Sequence, residues 1–359
     1  MHTRAIFALS LAAVLAGCGG SMAEPDGGRQ DASRRDGDVA DDAAPTRDAG
    51  VIRLPDAGPS VDAGPVRGAP YPIVLAHGFF GFDDFAGVGF VTYFYEVREE
   101  LAARGEAEVF TPTVDPFNDS VTRGEQLADA VEAILAETGA PRVNLIGHSQ
   151  GGLDVRYVAA THPEWVASAT TFASPNRGTP IADVVVGLVE DGRFRGLVDQ
   201  LVRLFGAPIW DATGEETSLF RALEQMSTPG MEAFNAAYPN DPSVSYYSVT
   251  GRTDRELGGA DCEATDIPPF VSRYMRTVDP VDPLLDIAEQ IVDGGREDIV
   301  NDGLIRVRDA RWGRFLGCIP ADHLDQVGQL LGDNPGFRND FEYRQFYADL
   351  VAFLRSEGH

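Results

Sequence analysis

Apolar residues along the chain fall into short runs separated by stretches of helical periodicity. YPIVLAHG (71–78) reads as a strand that ends on a glycine, and Glu108 to Thr113 reads as a second. Val143 to Ile146, Ala169 to Ala173 and VSYYSVTG (244–251) read as three more. Between them, Thr122-Arg123-Gly124-Glu125 has the spacing of a capping box and predicts a helix that ends near Gly139. Leu153 to Ala160 reads as the start of another helix. Phe341 to Leu354 reads as an amphipathic terminal helix. Strands alternating with helices predict an α/β domain whose mostly parallel sheet is covered by helices on both faces.

The pattern changes at the beginning of the chain. An apolar run from Ala5 to Ala16, with Arg4 before it, is too short to cross a bilayer and reads as the core of a signal peptide. It ends in Leu15-Ala16-Gly17-Cys18, which resembles a bacterial lipobox, so residues 1–17 are expected to be removed and Cys18 lipidated. Residues 18–68 are Asp, Ala, Gly, Pro and Arg with almost no large apolar side chain, and include PDAGPSVDAGP. Such a stretch cannot bury enough surface to fold and reads as a tether spanning about 40 Å. The folded domain is then residues 69–359. Gly19, rather than Asp, follows Cys18, so the expected destination is the outer membrane of a Gram-negative bacterium.

The chain carries a formal charge of −27. Ten acids against six arginines leave Gly19 to Gly68 at −4, so with Arg4 the remainder carries −24. So acidic a domain argues against a nucleic-acid partner. With Cys18 taken by lipid, Cys262 and Cys318 remain, and an even remainder in an exported protein predicts one disulfide between them.

The candidate chemistry centres on VNLIGHSQGG (143–152). A strand turning at once into a helix needs glycines where the backbones meet, here Gly147 and Gly151. The residue between them is held in a strained conformation that lifts the Ser149 hydroxyl clear of the sheet. The Gln150 backbone N–H, at the helix N-terminus, is placed to face a developing oxyanion. A serine nucleophile needs a base. Of six histidines, His2 lies in the signal peptide, His359 is the last residue, and His77 and His148 lie in turns beside glycines. His162 follows the nucleophile helix too closely, which leaves His323 in IPADHLDQVGQ. The orienting acid is expected between them, after a strand. Asp302 in IVNDGLI fits best, with Asp286, Asp293 and Asp298 as competitors.

YPIVLAHGFFGF, RGEQL, VNLIGHSQGG, RYVAA, ASATTFASPNRGT, VSYYS, NDGLI and HLDQVGQ occur in this order over residues 70–335. Together they resemble the bacterial true lipases of the Pseudomonas/Burkholderia type. The resemblance implies an α/β-hydrolase fold and triacylglycerol hydrolysis, with Ser149, Asp302 and His323 as the triad. It implies Phe79, after the His-Gly pair, as the second oxyanion donor. It also implies a structural calcium ion, held by the carboxylates of Asp279 and Asp325 and the carbonyls of Gln329 and Asp333, and no organic cofactor.

Two departures stand out. In the family the second cysteine lies near the triad aspartate, whereas Cys318 lies just before His323. Family members are usually secreted free, many with a membrane foldase, so a foldase partner stays open here. About sixty residues separate NRGT from VSYYS, and 194–210 puts Leu197, Val198, Leu201, Val202 and Phe205 on one helical face. Such a stripe is either core or, within an insertion at about 180–240, a lid that opens at lipid surfaces. The alternatives to a lipase are a short-chain carboxylesterase or polyester depolymerase and, from another class, an inactive surface lipoprotein with a binding role.

Overall fold

The computed structural model describes residues 67–79, 93–187, 216–253, 259–277, 279, 285–296, 298–329, 335 and 339–359. The stripe at 194–210, Asp333 and the expected signal peptide and tether lie outside them. Six strands are described: β1 (Ile73–Ala76), β2 (Val109–Phe110), β3 (Val143–His148), β4 (Val166–Phe172), β5 (Ser245–Gly251) and β6 (Arg314–Ile319). They form one sheet in the order β2-β1-β3-β4-β5-β6, and every neighbouring pair is parallel.

The helices that cover the sheet are α1 (Val97–Ala103), α2 (Ser120–Thr138), α3 (Gly151–Thr161), α4 (Pro180–Val185), α5 (Glu216–Met226), α6 (Thr228–Ala237), α7 (Asp286–Val292) and α8 (Tyr343–Ser356). Side chains alternate across β1, and the two faces part accordingly. Ile73 and Leu75 join Val97 and Leu101 of α1 and Phe346, Leu350 and Leu354 of α8. Val74 and Ala76 face Leu127, Val131 and Ile134 of α2 and Val155 and Val158 of α3. Burying each of the larger side chains stabilises the fold by about 1.5–3 kcal/mol.

Several boundaries differ from the sequence reading. Helix α2 starts at Ser120, because Asp119 caps it by accepting from the Val121 and Thr122 N–H groups, both at 3.0 Å. The Thr122 hydroxyl also turns to Asp119, at 3.4 Å, so the capping box read at 122–125 lies inside the helix. Gly139 closes that helix in the left-handed region, as read. The second strand shrinks from Glu108–Thr113 to two residues. The sixth, RFLGCI, was not anticipated. Its Gly317, at a φ of 114°, breaks the run of β-forming residues that would have marked it.

Cys262 and Cys318 are disulfide-bonded, with Cα atoms 5.4 Å apart. The bridge fastens the short 3-10 turn at Gly259–Cys262 to the end of β6. Four residues beyond β6 stands His323.

Candidate active site

The parallel sheet brings its carboxyl ends to one edge, where an open α/β sheet places its chemistry. His77-Gly78-Phe79 follow β1, Ser149 follows β3, and Pro320 to His323 follow β6. In register, Ala76 lies opposite Gly147 and His148 opposite Phe172. Ser149 then turns with φ at 55°, a conformation that side-chain-bearing residues adopt at a cost of about 1–3 kcal/mol. Its N–H donates to the Phe172 carbonyl at 2.8 Å, and its carbonyl accepts from Gly152 N–H at 3.0 Å. A Cβ on Gly147 would overlap the Gly151 backbone, and one on Gly151 would overlap the Ala76 carbonyl. The elbow therefore depends on both glycines.

Asp302 and His323 meet beside this turn. His323 Nδ1 lies 2.8 Å from Asp302 Oδ2, and both residues are buried. The other carboxylate oxygen accepts from Leu304 N–H at 3.1 Å and Ile305 N–H at 2.7 Å, which anchors that oxygen. The competitors are placed otherwise. Asp286 opens α7, Asp293 caps it, and Asp298 pairs with Arg296 at 2.7 Å in solvent. The ring of His148, the residue before Ser149, lies 4.6 Å from the His323 ring between centroids.

Of the two predicted oxyanion donors, Gln150 follows Ser149 in the elbow, and Phe79 follows Gly78, which packs against Ser149. Gln150 caps α3, and its side chain donates to the Asn118 carbonyl at 2.8 Å. The Phe79 ring packs edge-on to Phe117, with centroids 6.0 Å apart. The His77–Phe79 loop is tied down by groups the sequence reading passed over. Arg123 donates to the His77 carbonyl at 2.6 Å, to the Asp115 carbonyl at 2.7 Å and to Asp154 at 2.8 Å. Burial pushes the Asp154 carboxyl up and the Arg123 guanidinium opposes it. His77 accepts from Val114 N–H at 3.1 Å through Nε2, which leaves Nδ1–H for the Gly78 carbonyl at 2.9 Å.

Asp279, Asp322 and Asp325 form a second cluster beside the His323 loop. Each is buried and offers a carboxylate oxygen within 4.8 Å of the others. Asp322 N–H donates to Asp279 at 2.8 Å, and Asp322 accepts from Leu324 and Asp325 N–H at 2.9 and 3.0 Å. Asp322 was missed because only the fold sets residue 322 against residue 279. Gln329 is placed by its N–H on the Leu324 carbonyl at 3.2 Å.

A parallel sheet with a strained serine after a central strand, and a buried Asp–His pair after later strands, defines a serine hydrolase of the α/β-hydrolase type. Residues 71–252 match the family described as alpha/beta hydrolase fold. The chain is 34% identical to a triacylglycerol lipase of Vibrio cholerae over 281 residues, 75% of this chain and 83% of that one. It is 34% identical to a triacylglycerol lipase of Pseudomonas fragi over 306 residues, 80% of this chain and 97% of that one. Its fold is similar to a solved metagenomic carboxyl esterase, with a TM-score of 0.52 at 16% identity over 85% of this chain and 82% of that one. The chain belongs to the bacterial triacylglycerol lipases of the α/β-hydrolase family.

Proposed function

We propose that this protein hydrolyses the ester bonds of acylglycerols through an acyl-enzyme on Ser149. The observation that carries the reading is the 2.8 Å contact between His323 and Asp302 beside a serine held at positive φ. With Nδ1–H committed to Asp302, His323 Nε2 is the basic nitrogen. It takes the Ser149 proton as Oγ bonds to the ester carbonyl carbon. The Gln150 and Phe79 N–H groups bind the oxyanion. His323 returns the proton to the departing glycerol oxygen, and the same base then activates the water that releases the fatty acid. Labelling of Ser149 by a fluorophosphonate tests the nucleophile. Turnover of emulsified triglycerides alongside nitrophenyl esters of increasing chain length tests the substrate. Turnover confined to the shortest esters would point to a carboxylesterase instead.

A calcium ion fits the acidic cluster. Three buried carboxylates within one small volume are a donor set suited to a hard cation. Asp279, Asp322 and Asp325 would hold the ion, with Gln329 as the nearby carbonyl donor of the resemblance. Bound there, it supplies charge neutralisation and holds the loop that carries the base. It takes no part in the acyl transfer.

Two further readings rest on the sequence pattern. Cys18 carries the lipid that anchors the enzyme to the outer membrane, with 19–68 as tether. Intact-mass analysis showing cleavage elsewhere, with no acyl chains, would rule this out. The apolar stripe at 194–210 is the candidate lid, and on that reading activity should rise as substrate passes from monomers to emulsion. Replacing Leu201 and Phe205 by Ser should weaken that rise more than turnover of a short soluble ester. An equal fall in both would count against a lid.

A further inference from the structure

Beside the triad runs a buried chain of side chains that the reaction above does not use. The Gln326 amide nitrogen lies 3.0 Å from Asp302 Oδ2, the same oxygen that holds His323, and 3.3 Å from the Ala321 carbonyl. Both partners are acceptors only, so this end of the amide must be the NH2. Its oxygen then faces His148 Nε2 at 3.1 Å, and that nitrogen must carry the ring proton. The other ring nitrogen, Nδ1, is left to accept from the Tyr93 hydroxyl at 2.7 Å. Tyr93 in turn lies against the backbone of Gly78, in the oxyanion loop.

No group in this chain has freedom to turn over. His148 and Gln326 are fully buried, and Tyr93 is nearly so. Burial, with His323 as the second cause, holds the His148 imidazole well below its ordinary pKa, so it stays neutral and keeps this tautomer. Room for the amide comes from Gly251 at the end of β5, where a Cβ would overlap it. The last residue of β5 thus leaves the space that Gln326 occupies.

We propose that Gln326 is a positioning residue of the triad, whose amide, locked by His148 and Tyr93, holds the Asp302 carboxylate in the orientation that His323 requires. The assignment rests on the triad reading above. The bonds to Ala321 and His148 are common to every Asp302 background, so the part of the Gln326 effect that passes through Asp302 is separable from a packing role.

The test is a double-mutant cycle on the full chain, using a short soluble ester. Gln326→Leu removes the amide at similar volume. In the native background it should lower kcat about 10-fold, with KM within about twofold, because small misplacements of catalytic groups are costly. In an Asp302→Ala background the same substitution should change the residual kcat by less than about twofold, since the group it acts through is gone. Gln326→Met keeps the length of the side chain and removes the amide. It should give a loss in kcat that likewise shrinks with Asp302→Ala, and it carries the test if Gln326→Leu does not fold. Equal losses in both backgrounds, or an unchanged kcat in the folded variant, would overturn the proposal. Ser149→Ala run in parallel keeps the two readings apart, because residual turnover there counts against the triad itself.

Discussion

Asp302 and His323 are joined twice. The His323 backbone N–H donates to the Asp302 carbonyl at 2.9 Å, and its ring meets the Asp302 carboxylate at 2.8 Å. The main-chain link survives substitution of either side chain, so the loop carrying the base should hold its place in Asp302→Asn. That variant should fold normally and lose kcat through the wrong imidazole tautomer, by up to about 10⁴-fold. Ser149→Ala and His323→Ala should each cost about 10⁵–10⁶-fold, and the double variant little more, since triad members act as a unit. Steady-state kinetics on the folded variants checks this. Additive losses would contradict it.

The acidic cluster predicts that a chelator lowers Tm and activity together and that calcium restores both. An ion at 100 times its Kd stabilises by about 2.7 kcal/mol. Asp279→Ala, Asp322→Ala and Asp325→Ala should each abolish the response. Thermal unfolding with and without excess chelator is the measurement, and coincident curves for the native chain would dispose of the site.

His148 predicts a pH dependence of stability. Its folded pKa is depressed, by burial first and by His323 second, while Gln326 acts in the opposite sense. Below the ordinary histidine pKa of about 6.5 the unfolded chain binds a proton that the folded chain refuses. Stability from this group is therefore fully present above about 6.5 and is lost as pH falls, by about 1.4 kcal/mol per unit. Urea unfolding at pH 5.5 and 7.5 should show a smaller difference in His148→Asn than in the native chain. An equal difference in the two would mean that His148 is not the group responsible.

The disulfide predicts a redox dependence. It closes a loop with a sequence separation of 56, which on the chain-entropy account contributes about 4 kcal/mol. Cys262→Ser or Cys318→Ser should lower Tm by several degrees, and reductant should do the same to the native chain alone. A Tm unmoved by both would show that the bridge adds no stability.

The strands near the nucleophile were legible because each is an apolar run closed by a glycine turn, and the elbow announces itself through Gly147 and Gly151. Less could be read where local chemistry competes. Asp119 outbids Thr122 as the cap of α2, and Gly317 hides β6 inside a strand that packing, not propensity, defines. The pairing of Cys262 with Cys318 followed from counting. Asp322, Gln326 and His148 followed from nothing local. Their roles arise only when the β6 loop folds back over the end of β5, so that residue 326 meets residues 148 and 302.

Among the described strands no neighbouring pair can be closed by a hairpin, because every pair is parallel. Each pairing must bring together segments distant along the chain before any contact rewards the closure, which makes folding slow. While β5 and β6 are still seeking their places, unpaired edges and apolar faces stay open to other molecules. After complete denaturation, recovery of active enzyme is thus a race between strand docking and association. Its yield should fall steeply as protein concentration rises, so that dilution, rather than longer incubation, is what rescues it.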